Sequence, residues 1–244
     1  QKISVGPPFY HKLMIPFLIP FLIFMAIGPR LKWIKSDIKN KLSLAILLII
    51  SLLFSFFIVK NFDTKYLLNS ILIGSAFYLF FITVRDFFSK KTQKLSQNIA
   101  HFGFSLLILS ILFNSIFSNE IITNLKVGES YKNDDLEIVF SDLTRENKKN
   151  YVSLTGIFFI KEKNFDNILK PELRIYNQPK IITSEADIKV TFLKDNFITI
   201  NNVKNEDHFN VRYLIKPYML WIWVSVLLIT IGGLMSLFNK KYEK

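Results

Sequence analysis

Cysteine is absent from all 244 residues of the chain, which excludes disulfides, thiolate metal sites and thiol catalysis within it. Histidine is scarce, at three, and glycine and proline supply only eight residues each. No GxxxxGKS/T, GxGxxG or HExxH pattern occurs, and no Ser-His-Asp set lies where the order of segments would assemble it. The most informative absence is of charge. Five stretches contain no Lys, Arg, Asp or Glu: 13–29, 42–59, 66–84, 99–117 and 218–238. Each runs 17–21 residues, the length a helix needs to cross roughly 30 Å of hydrocarbon. Without a carboxylate in any of these spans, an ion-coupled transporter built on acidic residues is disfavoured.

What is present fits a membrane. Half the residues are hydrophobic, 25 are Phe, and the mean hydropathy is positive. The first span, interrupted by Pro16 and Pro20 and ending in Pro29, is expected to be kinked. Basic residues set the orientation. Segments 30–41, 85–98 and 239–244 carry net charges of +4, +3 and +2, nine of the +12 total, and mark the cytoplasmic or matrix face. The long segment 118–217 holds 15 basic and 15 acidic residues. The basic balance is therefore a topology signal, and no nucleic-acid partner is expected.

The expected fold is an all-α integral membrane bundle of five transmembrane helices, with a β-rich extracytoplasmic domain inserted between the fourth and fifth spans. Residues 1–117 supply four spans, 118–217 the inserted domain, and 218–244 the last span and a cytoplasmic tail. In the insert, 136–143, 151–160, 172–176, 186–192, 197–203 and 211–215 read as strands, rich in β-branched and aromatic residues. Turn residues punctuate them at Asn133-Asp134-Asp135, Asn147–Asn150 and Lys194-Asp195-Asn196. This describes a small β-sandwich or barrel. No internal repeat interrupts it.

One residue breaks the apolar pattern. His101 lies near the start of the fourth span, in SQNIAHFGFSLLILSILF (96–113). With Ser96 as N-cap, the imidazole falls about 8 Å into the helix, in the inner third of the bilayer. Ser105 shares its face, and Gly103 and Ser105 admit close approach of a helix or a flat ligand. Ionisable groups at such depth usually carry function. Three readings stay open: packing through a neutral hydrogen bond, an axial ligand to heme iron, or a proton relay or quinone contact. A bis-His heme needs a second imidazole, and His11 and His208 both lie on the far side, so that ligand would come from polypeptide outside this chain. Trp33, Trp221 and Trp223 fall at or near span ends, as interfacial anchors or as walls for a ligand.

Several motifs occur in an order that resembles one family. ISVGPPFY (3–10), GPRLKW (28–33), NIAHFGFSL (98–106), LKVGES (125–130), KPELRIY (170–176), ITSEADI (182–188) and RYLIKPYMLWIWVSVLLITIGGLMSLF (212–238) together resemble the CcmF cytochrome c-type biogenesis family over essentially the whole chain. Asp195-Asn196-Phe197-Ile198, Lys149-Asn150-Tyr151 and Ser225 depart from the family's usual residues. The resemblance implies a subunit of the membrane heme lyase complex. Such a subunit receives heme, a transient substrate, from the heme chaperone CcmE. With a CcmH-type protein it supports reduction of that heme and its attachment to apocytochrome c. It also implies a permanent transmembrane heme b, with His101 as one axial ligand and the other in an N-terminal part of CcmF, in the same chain or a separate subunit. The chain then reads as the C-terminal part of a longer polypeptide, not a competent lyase alone. It would sit in the bacterial inner membrane, or the mitochondrial one, with the β-rich domain in the periplasm. Trp221 and Trp223 are further candidates to flank the porphyrin. The competing readings are a transporter or exporter using His101 as a proton site, and a structural anchor for the β-domain.

Overall fold

A computed structural model describes residues 7–31, 41–61, 67–88, 95–133, 136–162, 165–202 and 207–238. The chain folds as two compact units: a helical unit, 1–116 with 221–244, and a β unit, 117–220.

The helical unit consists of α1 (Pro7–Ile27), a 3-10 turn (Gly28–Arg30), α2 (Lys41–Asn61), α3 (Leu67–Phe88), α4 (Leu95–Phe117) and α5 (Met219–Phe238). All five helices are long and apolar enough to span a membrane. Together with the strands between α4 and α5 they make the chain a helical membrane bundle with a β insert. α1 continues through Pro16 and Pro20, which a bilayer tolerates where neighbouring groups satisfy the freed carbonyls. α3 is the centre: 61% of its span is buried, against 11–22% for the others. Packing here is inside-out relative to water. On α2, Phe56 and Phe57 point outward while Ser51 and Ser55 are buried. Ser55 Oγ donates to the carbonyl of Ser70 across the seam at 2.9 Å, and a Cβ on Gly74 would lie 2.7 Å from Leu52 Cδ2. Small and hydroxyl residues thus draw α2 against α3, as hydrocarbon surroundings favour.

Two expectations for this unit are corrected. Ser96 is not an N-cap: it lies inside α4, buried, with its carbonyl against α5. The spans also do contain a carboxylate. α3 runs four residues past Val84, carrying Arg85 and the buried Asp86 into the helix. An ion pair with Arg30 of the 3-10 turn accommodates Asp86 there.

The β unit is a two-sheet sandwich. One sheet has the order β1 (Asn119–Leu125), β10 (Phe209–Pro217), β9 (Lys194–Asn202), β8 (Asp187–Val190). The other has the order β2 (Ser130–Asn133), β3 (Leu136–Asn147), β4 (Tyr151–Glu162), β6 (Glu172–Tyr176), β7 (Ile181–Glu185), with β5 (Phe165–Leu169) also on β4. Alternating residues of β3 and β4 face inward, and Phe140 stacks on Phe158 at 4.4 Å between centroids. Ile198, Ile200, Val211 and Tyr213 close the core from the facing sheet. Glu172 and Arg174 pair at 2.8 Å along β6, and Arg174 lies over the Tyr151 ring. KPELRIY therefore works as internal strand architecture. Four short strands, β1, β2, β5 and β7, were not among those expected. The turn expected at Lys194-Asp195-Asn196 is instead the start of β9, with Asp195 and Asn196 buried. The chain reverses earlier, at Phe192-Leu193.

Candidate functional site

His101 is half-buried on α4, about 9 Å along the axis from its first residue. Among the described residues nothing hydrogen-bonds its imidazole. Its surroundings are polar. Arg30, just past the end of α1, donates to the Ala26 carbonyl at 2.8 Å and pairs with Asp86 of α3. Arg85 reaches Ser43 of α2 at 3.3 Å. Asn98, one turn before His101 on α4, donates through Nδ2 to the backbone carbonyl of Asp86 at 3.3 Å. Asp86 is within coulombic range of Arg30, Arg85 and His101. Residues from all of α1–α4 thus meet at one end of the bundle, beside the segments whose basic excess set the expected orientation.

α4 is fixed on two sides. Toward α3, Ser105 is fully buried, 3.1 Å from Thr83 Oγ1, and donates to the Phe102 carbonyl at 2.8 Å. Toward α5, Gly103 and Gly232 bring backbones together. A Cβ on Gly103 would lie 2.9 Å from the Ile229 nitrogen, and one on Gly232 would lie 2.6 Å from that of Ala100. Both candidates beside His101 therefore make helix contacts: Gly103 to α5 and Ser105 to α3. An apolar cavity of about 470 Å3 lies between α3, α4 and α5, lined by Phe80, Phe87, Phe102 and Leu228 among others. From α4 it takes Ile99 and Phe102 but not His101. At about 100° per residue, the imidazole points away from Ile99 toward the opposite flank. The cavity is thus separate from the histidine.

Trp221 and Trp223 are the third and fifth residues of α5, and Trp223 is 65% exposed. Gly232, which meets α4 near His101, is nine residues beyond Trp223, about 14 Å along the helix. The structure does not bring the two tryptophans to His101. Trp33 lies outside the described residues, as does the side chain of His11. No group of three or more His, Asp or Glu suited to a metal ion occurs among the described residues.

Sequence reasoning missed Arg30, Asp86 and Asn98. A signal existed: GPRLKW places a single Arg directly after the first span, and Asp86 closely follows the third, so two opposite charges border apolar runs at the same face.

The sequence model of the family described as the CcmF C-terminal beta-sandwich matches residues 116–217. That match spans the inserted β unit. The similarity extends beyond it. The chain is 25% identical to the cytochrome c-type biogenesis protein CcmF of Haemophilus influenzae, over 99% of its own length and 40% of the relative. With CcmF of Escherichia coli K12 the identity is 24%, over 100% of the chain and 39% of the relative. The cytochrome c-type biogenesis protein NrfE of Haemophilus influenzae gives 23%, over 100% and 40%. A solved structure of cytochrome c heme lyase CcmF matches the fold with a TM-score of 0.74 at 18% identity, covering 94% of this chain and 40% of that one. The resemblance to CcmF read from the motifs is therefore shown. The chain spans about two-fifths of the length of the curated relatives it matches.

Proposed function

We propose that the chain supplies the C-terminal portion of a CcmF-type heme lyase subunit in cytochrome c maturation, and that His101 is one axial ligand of a transmembrane heme b. The carrying observation is an imidazole within an apolar span, with no hydrogen bond among the described residues, on a helix that meets α3 at Ser105 and α5 at Gly103 and Gly232. The donor set fits the group. A neutral imidazole offers one lone pair, and a ligating histidine normally donates its other N–H to a nearby acceptor. Asn98 Oδ1 is buried without a partner, one turn away on the same flank of α4. His101 donating there would present its second nitrogen to iron. The Arg30–Asp86 pair, by neutralising the buried carboxylate, leaves the imidazole free of a competing salt bridge.

A heme b held at this position supplies an electron-transfer centre within the bilayer. The chain's own residues supply the ligand, its orientation through Asn98, and the spacing of α4 between α3 and α5. The second axial ligand belongs to polypeptide beyond this chain. Heme in transit, delivered by the chaperone CcmE, is the substrate. The β-sandwich is the surface for CcmE, a CcmH-type protein and apocytochrome c, on the periplasmic side, with the basic segments at the cytoplasmic face of a bacterial inner membrane.

The test uses membranes in which the chain is expressed with the polypeptide that completes it. A reduced-minus-oxidised spectrum should show six-coordinate b-heme bands that are lost or strongly weakened in His101→Ala. Asn98→Leu should retain heme but shift its midpoint potential. An unchanged spectrum in His101→Ala rejects the ligand. A colourless preparation that moves protons or solute across vesicles favours the transporter reading, for which Asp86 beside His101 is the specific observation.

A further inference from the structure

The hairpin joining β8 to β9 turns on the wrong residues for water. Its apex is Phe192-Leu193, closed by the Thr191 N–H donating to the Lys194 carbonyl at 3.0 Å. Tight turns favour Gly, Asn, Asp, Pro and Ser. Elsewhere in the sandwich they follow that rule, with Lys148-Lys149-Asn150 between β3 and β4 and Asn177–Lys180 between β6 and β7. Phe192 remains 64% exposed and Leu193 58%, and behind them on the edge strand β8 Val190 is 57% exposed and Ile188 46%. Four large apolar side chains within six residues, on an edge strand, form a surface that soluble domains avoid or cover.

The position of this tip within the sandwich says what covers it. The chain enters the domain from α4 at Asn119 and leaves for α5 after Pro217. Asn119 pairs with Ile215, and Pro217 pairs with Lys194, so both crossings share one end of one sheet with the hairpin apex. The Tyr218 N–H donates to the Leu193 carbonyl at 2.8 Å, and α5 begins at the next residue, Met219. The apex is thus fastened to the point where the chain becomes a membrane span. Two of the polar turns lie away from it: Lys194 pairs with Glu162 at one end of β4, whereas Lys148–Asn150 precedes the other end, where Tyr176, just before Asn177–Lys180, pairs with Tyr151.

We propose that this hairpin tip is a lipid-binding element, with Phe192 and Leu193 seated in the headgroup–acyl boundary of the bilayer and Val190 and Ile188 following at shallower depth. Aromatic and aliphatic side chains at that level replace water with acyl chain, while the exposed Lys189 reaches phosphate. With two covalent crossings on the same sheet end, the tip makes a third point at which the sandwich meets lipid or membrane span. This inference is independent of His101 and of any heme.

The cysteine-free chain makes the test clean. Leu193→Cys, Val190→Cys and Lys180→Cys are each labelled with an environment-sensitive fluorophore in the full chain, in phosphatidylcholine nanodiscs. The expected result is blue-shifted emission at 193, quenched by nitroxide on the lipid acyl chains and protected from aqueous iodide. The shift should be smaller at 190, with the reverse pattern at 180. A label at 193 that behaves like the one at 180 overturns the proposal. So does one shielded from both quenchers, which would mean that protein covers the tip. Should Leu193→Cys fail to assemble, the 190 label reads the same question.

Discussion

Phenylalanine serves the cores of the two units of this chain differently. In the sandwich, Phe140 and Phe158 are wholly buried and stacked, and they organise the core. In the bundle, Phe17, Phe24, Phe56 and Phe57 are exposed while serines and glycines line the seams. The difference follows from solvent. Water drives aromatic residues inward, whereas acyl chains are as apolar as a protein core, so the aromatics of the bundle face lipid or, like the buried Phe77 beside Phe54, a seam, and close approach and internal hydrogen bonds help decide which helix faces meet. Composition alone therefore cannot rank the importance of a residue here without knowing which unit holds it.

The sharpest test of that contrast exchanges the same residue for the same residue. Phe158→Ala should cost the sandwich roughly 3–5 kcal/mol, as burial loss and a cavity combine. Phe57→Ala, on the lipid-facing side of α2, should stay within about 0.5 kcal/mol. Chemical denaturation of the full chain, followed by protease resistance of each unit, reads both. Equal losses would break the comparison.

Glycine gives the converse test, with a smaller effect. A Cβ at Gly232 meets backbone atoms of α4, while one at Gly233 meets nothing within 4 Å. Gly232→Ala should destabilise the bundle by about 1–3 kcal/mol and loosen α4, whereas Gly233→Ala should leave thermal unfolding in detergent unchanged. Should the neighbours prove equivalent, α4 and α5 are not held together by small-residue contact.

The same contrast explains what the sequence made legible. The five spans were visible because hydrocarbon demands long uncharged runs, and the insertion because patterning switches from helical to alternating after 117. His101 stood out because polarity is rare in such runs. Arg30 and Asp86 did not, since the uncharged-run criterion stops at the first charge although the helix continues. α3 extends to Phe88 because pairing with Arg30 relieves the cost of burying Asp86. In the sandwich, β1, β2, β5 and β7 escaped because each is a strand only through the one neighbour it pairs with, at a sheet edge or, for β5, beside the main strand path. β2, for instance, has polar, mostly exposed residues and is a strand only through β3. Lys194-Asp195-Asn196 misled for the opposite reason. Three polar residues suited to a turn were drawn into β9 by pairing with β10, leaving Phe192-Leu193 to turn.

Drawing Asp195 into β9 has a measurable consequence with a definite sign. Burial pushes its carboxyl above the ordinary carboxylate range, partly offset by a hydrogen bond from the Thr191 backbone. The folded domain then keeps this proton at pH values where the unfolded chain has released it. Its contribution to stability is full below the ordinary carboxylate pKa and declines as pH rises through the elevated value. Asp195→Asn keeps the shape and removes that decline. Urea midpoints taken from acid to neutral pH should fall less steeply in the variant, which should be the more stable form at neutrality. Parallel curves would show that Asp195 is not what burial penalises.

The smallest expected effect lies at the α3–α4 seam. Thr83 Oγ1 and Ser105 Oγ lie 3.1 Å apart across the seam, but each hydroxyl has a single proton and a carbonyl of its own helix that can take it, Phe80 for Thr83 and Phe102 for Ser105. Either hydroxyl therefore keeps a partner when the other is removed. Interhelical bonds of this kind average about 0.6 kcal/mol in membrane double-mutant cycles. A cycle of Thr83→Val and Ser105→Ala should return a coupling of that order, far below the loss expected for Phe158→Ala. The value matters because Ser105 lies one turn beyond His101. A coupling well above about 1.7 kcal/mol, the upper end of measured cases, would mean that the pair fixes the register of α4 by itself. The glycine contacts with α5 would then be secondary in placing the histidine, and the picture of α4 held equally from two sides would fail.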